Sequence, residues 1–212
     1  MKTTTPADRR PDIAAALARL KAGNDRFRAG LRSTASLATV EKIKAHAAGQ
    51  APAVSLLACA DSRVPAEIVF DAGLGELFVC RVAGAVSTPW MVGSLEYAAL
   101  ALGTPLTVVL SHSRCGAVGA AIKRCEGEDL GLGSRHIEKL ADSIAPAVRA
   151  VKRDNPGVSG DRLSALVCAE NARLQAREVL AGSPTLQKLR REKRWDIVCA
   201  VYDLESGRVR FQ

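Results

Sequence analysis

The chain has 212 residues, 48% of them hydrophobic, enough to bury one sizeable core without disulfide staples. Thirty Lys and Arg against 22 Asp and Glu give a net charge of +8, which would suit a nucleic acid, but only 4% of the residues are aromatic. The densest basic run, Lys188 to Arg194, has no aromatic within it and Trp195 only at its edge, so it reads as a solvated helix end and no nucleic-acid partner is expected. The first residues lack an apolar leader core and no stretch of about 18 apolar residues occurs, which points to a cytoplasmic protein without a membrane partner. Six cysteines are too widely spread for a disulfide scaffold. They are expected to be thiols, with Cys80 and Cys199 as core filling.

Along the chain, Ile13, Leu17, Leu20 and Phe27 recur at helical spacing behind an Asp12 cap, with Gly23 weakening and Gly30 stopping the helix. A strand is predicted at Ala53–Ala58, a helix at Val64–Phe70, a strand at Leu77–Val82, a helix at Val92–Leu102 and a strand at Leu106–Leu110. A helix over Gly116–Cys125 follows, then a glycine-rich break from Gly127 to Gly133 and helices over Ile137–Val151 and Arg162–Leu180. A late strand at Asp196–Tyr202 turns through Glu205-Ser206-Gly207 into a hairpin partner at Val209–Phe211. The alternation predicts an α/β fold, a mostly parallel central sheet of four to five strands flanked by helices, in one domain over residues 1–212.

Cys59 ends the first strand, and His112 and Cys115 follow the third. In an open parallel sheet the carboxyl ends of strands share one crevice, so the three can meet. Two thiolates and an imidazole suit Zn²⁺, and three protein ligands leave a fourth position for water, as in a catalytic site. The H-x-x-C spacing alone fits plain core packing as well, and both readings stand at this level. Asp61 and Arg63, just past Cys59, can pair in the same crevice, either as an oriented carboxylate acting on a metal-bound water or as an ordinary loop salt bridge. His46 and His136 have no such company and read as surface residues.

These pieces together resemble the β-class carbonic anhydrases over nearly the whole chain. The resemblance rests on Lys21-Ala22-Gly23-Asn24-Asp25-Arg26-Phe27, Cys59-Ala60-Asp61-Ser62-Arg63-Val64-Pro65, Gly75 to Val79, Gly93 to Ala98, His112-Ser113-Arg114-Cys115-Gly116-Ala117-Val118 and Tyr202 to Gly207. It implies one Zn²⁺ per chain on Cys59, His112 and Cys115, an orienting pair in Asp61 and Arg63, and reversible hydration of CO₂ to bicarbonate and a proton by zinc-bound hydroxide. Gln50, Phe78 and Tyr97 fall at the family's pocket glutamine, phenylalanine and tyrosine, Val64, Phe78 and Ala83 would keep the pocket apolar, and Gly116 completes the expected set. It further implies a homodimer or dimer of dimers, with pockets drawing on two chains and an N-terminal helical arm, about residues 1–35, clasping the neighbour. A hydrolase of carbonyl sulfide or carbon disulfide stays open, since the same zinc hydroxide could attack them, and Ala85 and Ser111, which depart from the family's usual Asn and Gly, leave open an inactive zinc-binding paralogue. Leu56 stands where an allosteric subclass carries tryptophan, so an unregulated member is expected.

Overall fold

The computed structural model describes residues 12–31 and 39–212. Its elements run α1 (Ile13–Arg28), α2 (Val40–Ala47), β1 (Val54–Ala58), α3 (Ala66–Val69), β2 (Leu77–Arg81), a 3-10 turn (Ala83–Ala85), α4 (Pro89–Leu100), β3 (Leu106–His112), α5 (Gly116–Cys125), α6 (Arg135–Asp154), α7 (Gly160–Gly182), α8 (Pro184–Arg191), β4 (Asp196–Tyr202) and β5 (Val209–Phe211). The five strands are ordered β2-β1-β3-β4-β5, parallel except for β5, which pairs antiparallel with β4. This is the expected α/β architecture. The central strands β1 and β3 are buried at every position, which is why both read as near-continuous apolar runs.

Leu56, Ala58, Val108, Leu110 and Ala200 pack with α1 and α3 on one face of the sheet, while Leu57, Val109 and Ile197 pack with α4, α7 and α8 on the other. Helices α5 and α6 stack on α7 around Val118, Ile144, Val148 and Val167. The connection leaving β1 leads to β2 on one side, and the connection leaving β3 leads to β4 on the other. The crevice between the carboxyl ends of β1 and β3 is therefore the topological switch point, where such sheets place their sites.

Three expectations need correction. The third strand was expected to stop at Leu110; it continues to His112, because Ser111 and His112 pair with Val201 and Tyr202 of β4. The helix expected over Val64–Phe70 is the single turn α3, opened by the φ-restricted Pro65 and closed by Asp71 at φ 44. Gly23 does not weaken α1: it is buried, and a Cβ there would lie 1.9 Å from the Phe70 carbonyl oxygen, so glycine permits close docking.

Asn24 next to it, also buried, donates to the carbonyls of Val69 (3.1 Å) and Gly207 (2.9 Å) and accepts from Val209 N–H (2.9 Å). Arg26 pairs with Asp71 at 2.6 Å. The stretch Lys21 to Phe27 thus staples α1 to its own chain. Leu20 is buried there, and Ile13 and Leu17 pack beside it, so the α1 stripe is covered without a neighbour. Residues 1–11 and 32–35 of the expected arm lie outside the described residues.

Candidate metal centre

Cys59 is the first residue beyond β1, His112 is the last of β3, and Cys115 caps the N-terminus of α5. The two sulfurs are 3.9 Å apart, and the ligand atoms of all three residues lie within 4.8 Å of one another. All three side chains are buried. The turn joining His112 to Cys115 is held from β4: Ser113 N–H donates to the Tyr202 carbonyl and its hydroxyl accepts from Leu204 N–H, each at 2.9 Å. Arg114, at φ 54, returns the chain to Cys115. This gives the closing Tyr202 to Gly207 stretch a role in aiming two of the three residues.

The imidazole is oriented by its backbone neighbour. His112 Nδ1 lies 2.9 Å from the Ser113 carbonyl oxygen, which can only accept, so Nδ1 carries the proton. Nε2 is then a bare lone pair, and it is buried without a hydrogen-bond partner. Such an orphan costs about 1–3 kcal/mol unless something binds it. A cation held by Nε2 and the two sulfurs would remove that cost, and the donor set, soft sulfur and borderline nitrogen, fits Zn²⁺.

Electrostatics around the sulfurs point the same way. The Cys59 thiol is pulled well below the ordinary thiol range, first by its hydrogen bond with Cys115, then by the His112 imidazole and by the N–H groups of Asp61 (3.4 Å) and Gly84 (3.3 Å), which outweigh burial. The Cys115 thiol is pushed up, by sharing its proton with Cys59 and by burial. Without a cation the pair therefore holds one thiolate and one thiol.

Asp61 faces this group across the mouth of the crevice, its Oδ2 3.8 Å from His112 Nε2. Arg63 grips the carboxylate twice, Nε to Oδ1 at 2.9 Å and Nη2 to Oδ2 at 2.7 Å, and its backbone N–H adds a third bond at 2.9 Å. The guanidinium holds Asp61 well below the usual carboxylate range. Arg81, which sequence reasoning missed, fixes the backbone beneath, donating to the carbonyls of Cys59 (3.0 Å) and Asp61 (2.5 Å). Its signal was an arginine closing a short apolar strand.

Of the two departures, Ser111 finds a local explanation and Ala85 does not. Ala85 is buried at φ 53, a left-handed conformation that asparagine tolerates better than alanine. Ser111 is buried, and its hydroxyl reaches the Cys168 sulfur, as does that of Ser164, so the hydroxyl is partnered.

Ala83 opens the turn carrying Gly84, and Gly116 follows Cys115, so both lie beside the cluster. Gln50, Phe78 and Tyr97 are not brought to it within one chain. Phe78 pairs with Ser55, three residues back from the Ala58–Arg81 pair, or about 10 Å along the sheet edge. Its ring meets that of Tyr97 at 6.2 Å between centroids. Gln50 is exposed and lines a separate groove of about 660 Å³ with His46, Glu67 and Leu74. Elsewhere, His136 is exposed and His46 half-buried.

The buried Cys-His-Cys cluster at the switch point of the β2-β1-β3-β4-β5 sheet makes this chain a candidate α/β metalloprotein. The carbonic anhydrase family model matches residues 54–209, and the chain belongs to the β-carbonic anhydrase family. Carbonic anhydrase 2 of Mycobacterium tuberculosis is 44% identical over 135 residues, which are 64% of this chain and 64% of that protein's length. The carbonic anhydrase of Pseudomonas aeruginosa is 35% identical over 175 residues, covering 78% of this chain and 76% of that one. The solved β-carbonic anhydrase CcaA matches in fold with a TM-score of 0.74 at 24% identity, over 92% of this chain and 94% of the other. A tetrameric β-carbonic anhydrase of Sordaria macrospora matches at 0.72 and 19% identity, over 93% and 94%. Among the described residues no helix is long and apolar enough to cross a membrane.

Proposed function

We propose that this chain is a zinc carbonic anhydrase that interconverts CO₂ and bicarbonate, with Cys59, His112 and Cys115 as the zinc ligands. The observation that carries the reading is the bare, buried Nε2 of His112 within reach of two sulfurs. Membership of the family and the names of its relatives support the substrate. Bound there, zinc supplies Lewis acidity that makes a water acidic near neutral pH.

The chain's own residues do the rest. Arg63 keeps Asp61 ionised and aimed at the cluster mouth, where it orients a water by accepting its hydrogen bond. A carboxylate held so far down is a poor resting place for a proton near neutral pH, so Asp61 positions and the proton leaves to buffer. Ala83 would offer CO₂ an apolar surface beside the cluster, whereas Val64, expected in that wall, is fully buried in the core on the α1 and α3 face of the sheet.

Completion of the pocket by Gln50, Phe78 and Tyr97 requires a second copy, which supports a homodimer or a dimer of dimers. On α4, Trp90 is 84% exposed, Tyr97 53% and Leu100 59%, all on one side of the helix and adjoining Phe78. That face is the natural seat for the second chain. Metal analysis combined with stopped-flow CO₂ hydration tests the whole reading. Turnover of carbonyl sulfide in excess of CO₂ would replace it with the sulfur-analogue hydrolase.

A further inference from the structure

Helix α7 places Asn171 and Gln175 one turn apart, both almost completely buried, at 0% and 1% exposure. Two amides inside a packed helix interface cost free energy unless each polar atom is matched, and an apolar pair would pack the same helix more cheaply. Here all but one of the contacts outside the pair lead to the segment Gly84–Ser87 beside Cys59. Asn171 Nδ2 donates to the Gly84 carbonyl at 2.8 Å, and Asn171 Oδ1 accepts from Gln175 Nε2 at 3.0 Å. Gln175 Oε1 in turn accepts from the Ser87 N–H at 2.8 Å, and its Nε2 also approaches the Ser143 carbonyl at 3.4 Å. The two amides therefore grip the turn at Gly84 and again at Ser87.

That turn needs gripping. Gly84 at φ 70 and Ala85 at φ 53 are consecutive left-handed residues, and the second carries a Cβ. Its product is a single oriented donor: the Gly84 N–H points at the Cys59 sulfur at 3.3 Å. We infer that Asn171 and Gln175 are positioning residues for the metal centre: by holding the Gly84 carbonyl and the Ser87 N–H they fix the left-handed turn in which the Gly84 N–H donates to the Cys59 sulfur and tunes that sulfur as a ligand. The inference rests on the reading of Cys59 as a ligand. An N–H donor on a thiolate withdraws electron density from sulfur, so the metal keeps more of its positive charge and sulfur–metal charge transfer moves to higher energy.

The test is the full chain carrying Asn171→Leu with Gln175→Met, which removes both amides at similar volume, loaded separately with Co²⁺ and Zn²⁺. Expected are a red shift of the thiolate-to-cobalt band and roughly 10- to 100-fold altered zinc affinity in competition with a chromophoric chelator. Its thermal midpoint should fall, because the Gly84 carbonyl and the Ser87 N–H lose their partners, while the chain still folds. A folded double variant with an unmoved band and unchanged zinc affinity would overturn the inference, leaving the amides as packing. Should the double variant not fold, Gln175→Met alone, which keeps the Asn171–Gly84 bond but removes its brace, must shift the band in the same direction. An unmoved band there overturns the inference too. Absence of any thiolate-to-cobalt band in the parent chain would instead defeat the ligand reading itself.

Discussion

Asp61 Oδ2 stands 3.8 Å from His112 Nε2 while Arg63 grips the same carboxylate with two charge-assisted hydrogen bonds. The carboxylate is thereby held at the cluster mouth without touching it. Asp61→Asn keeps the shape but loses the charge that Arg63 fixes and the acceptor that orients water. It should retain full zinc content and lose on the order of 10²-fold in hydration rate. Unchanged turnover in the zinc-loaded variant would reduce the pair to a loop salt bridge.

Zinc affinity should depend on pH in a stated direction. Of the pair, Cys59 is the one pulled down toward thiolate, whereas the Cys115 thiol, pushed up by that neighbour and by burial, still carries its proton near neutrality. Both sulfurs must be bare to bind, so each zinc displaces about one thiol proton and affinity rises about tenfold per pH unit through neutral pH. Calorimetry in buffers of different ionisation enthalpy reads the proton directly. Proton-neutral binding would show that Cys115 is not a ligand.

The docking of α1 gives a stability prediction. Alanine at position 23 gains about 1 kcal/mol in helix propensity, but its Cβ would sit 1.9 Å from the Phe70 oxygen and 2.8 Å from the carbonyl carbon. Those are backbone atoms that cannot move aside, and overpacking of this kind costs about 3 kcal/mol. The clash wins, so Gly23→Ala should lower the thermal midpoint by roughly 4–8 °C. A midpoint equal to or above the parent's would mean that α1 does not dock on Phe70.

Trp90, on the exposed face of α4, is the residue to change for assembly. Trp90→Glu puts a charge into the proposed interface and should leave the single chain folded. Sedimentation at micromolar concentration should find smaller particles than for the parent, with hydration falling in step because Gln50, Phe78 and Tyr97 no longer reach a neighbouring cluster. A fully active monomeric parent would contradict the two-chain pocket.

The central strands were legible because burial on both faces turns them into unbroken apolar runs, and Cys59, His112 and Cys115 because each sits where such a run stops. The extension of β3 to His112 was not, since polar Ser111 and His112 are kept in the strand by pairing with β4 rather than by their own character. Helix α2 is only eight residues long, and its short stripe of Val40 and Ile43 stays exposed rather than joining the core. In α8 only Leu186 and Leu189 face the core, and its basic residues dominate the reading. The stripe of Ile13, Leu17 and Leu20 was visible, but not that its cover is this chain's own sheet. Asn171 and Gln175 were two polar residues in a long helix, and nothing local announces a partner at Gly84.

The most direct test is stopped-flow CO₂ hydration by the purified chain, stripped of metal and then given one equivalent of zinc, beside Cys115→Ser treated alike. The parent should bind the zinc and catalyse hydration only when loaded, while Cys115→Ser, with a poor neutral ligand in place of a thiolate, should lose most of both. A zinc-loaded parent that leaves the rate at that of buffer, or a Cys115→Ser variant with stoichiometric zinc and parental activity, would contradict the assignment.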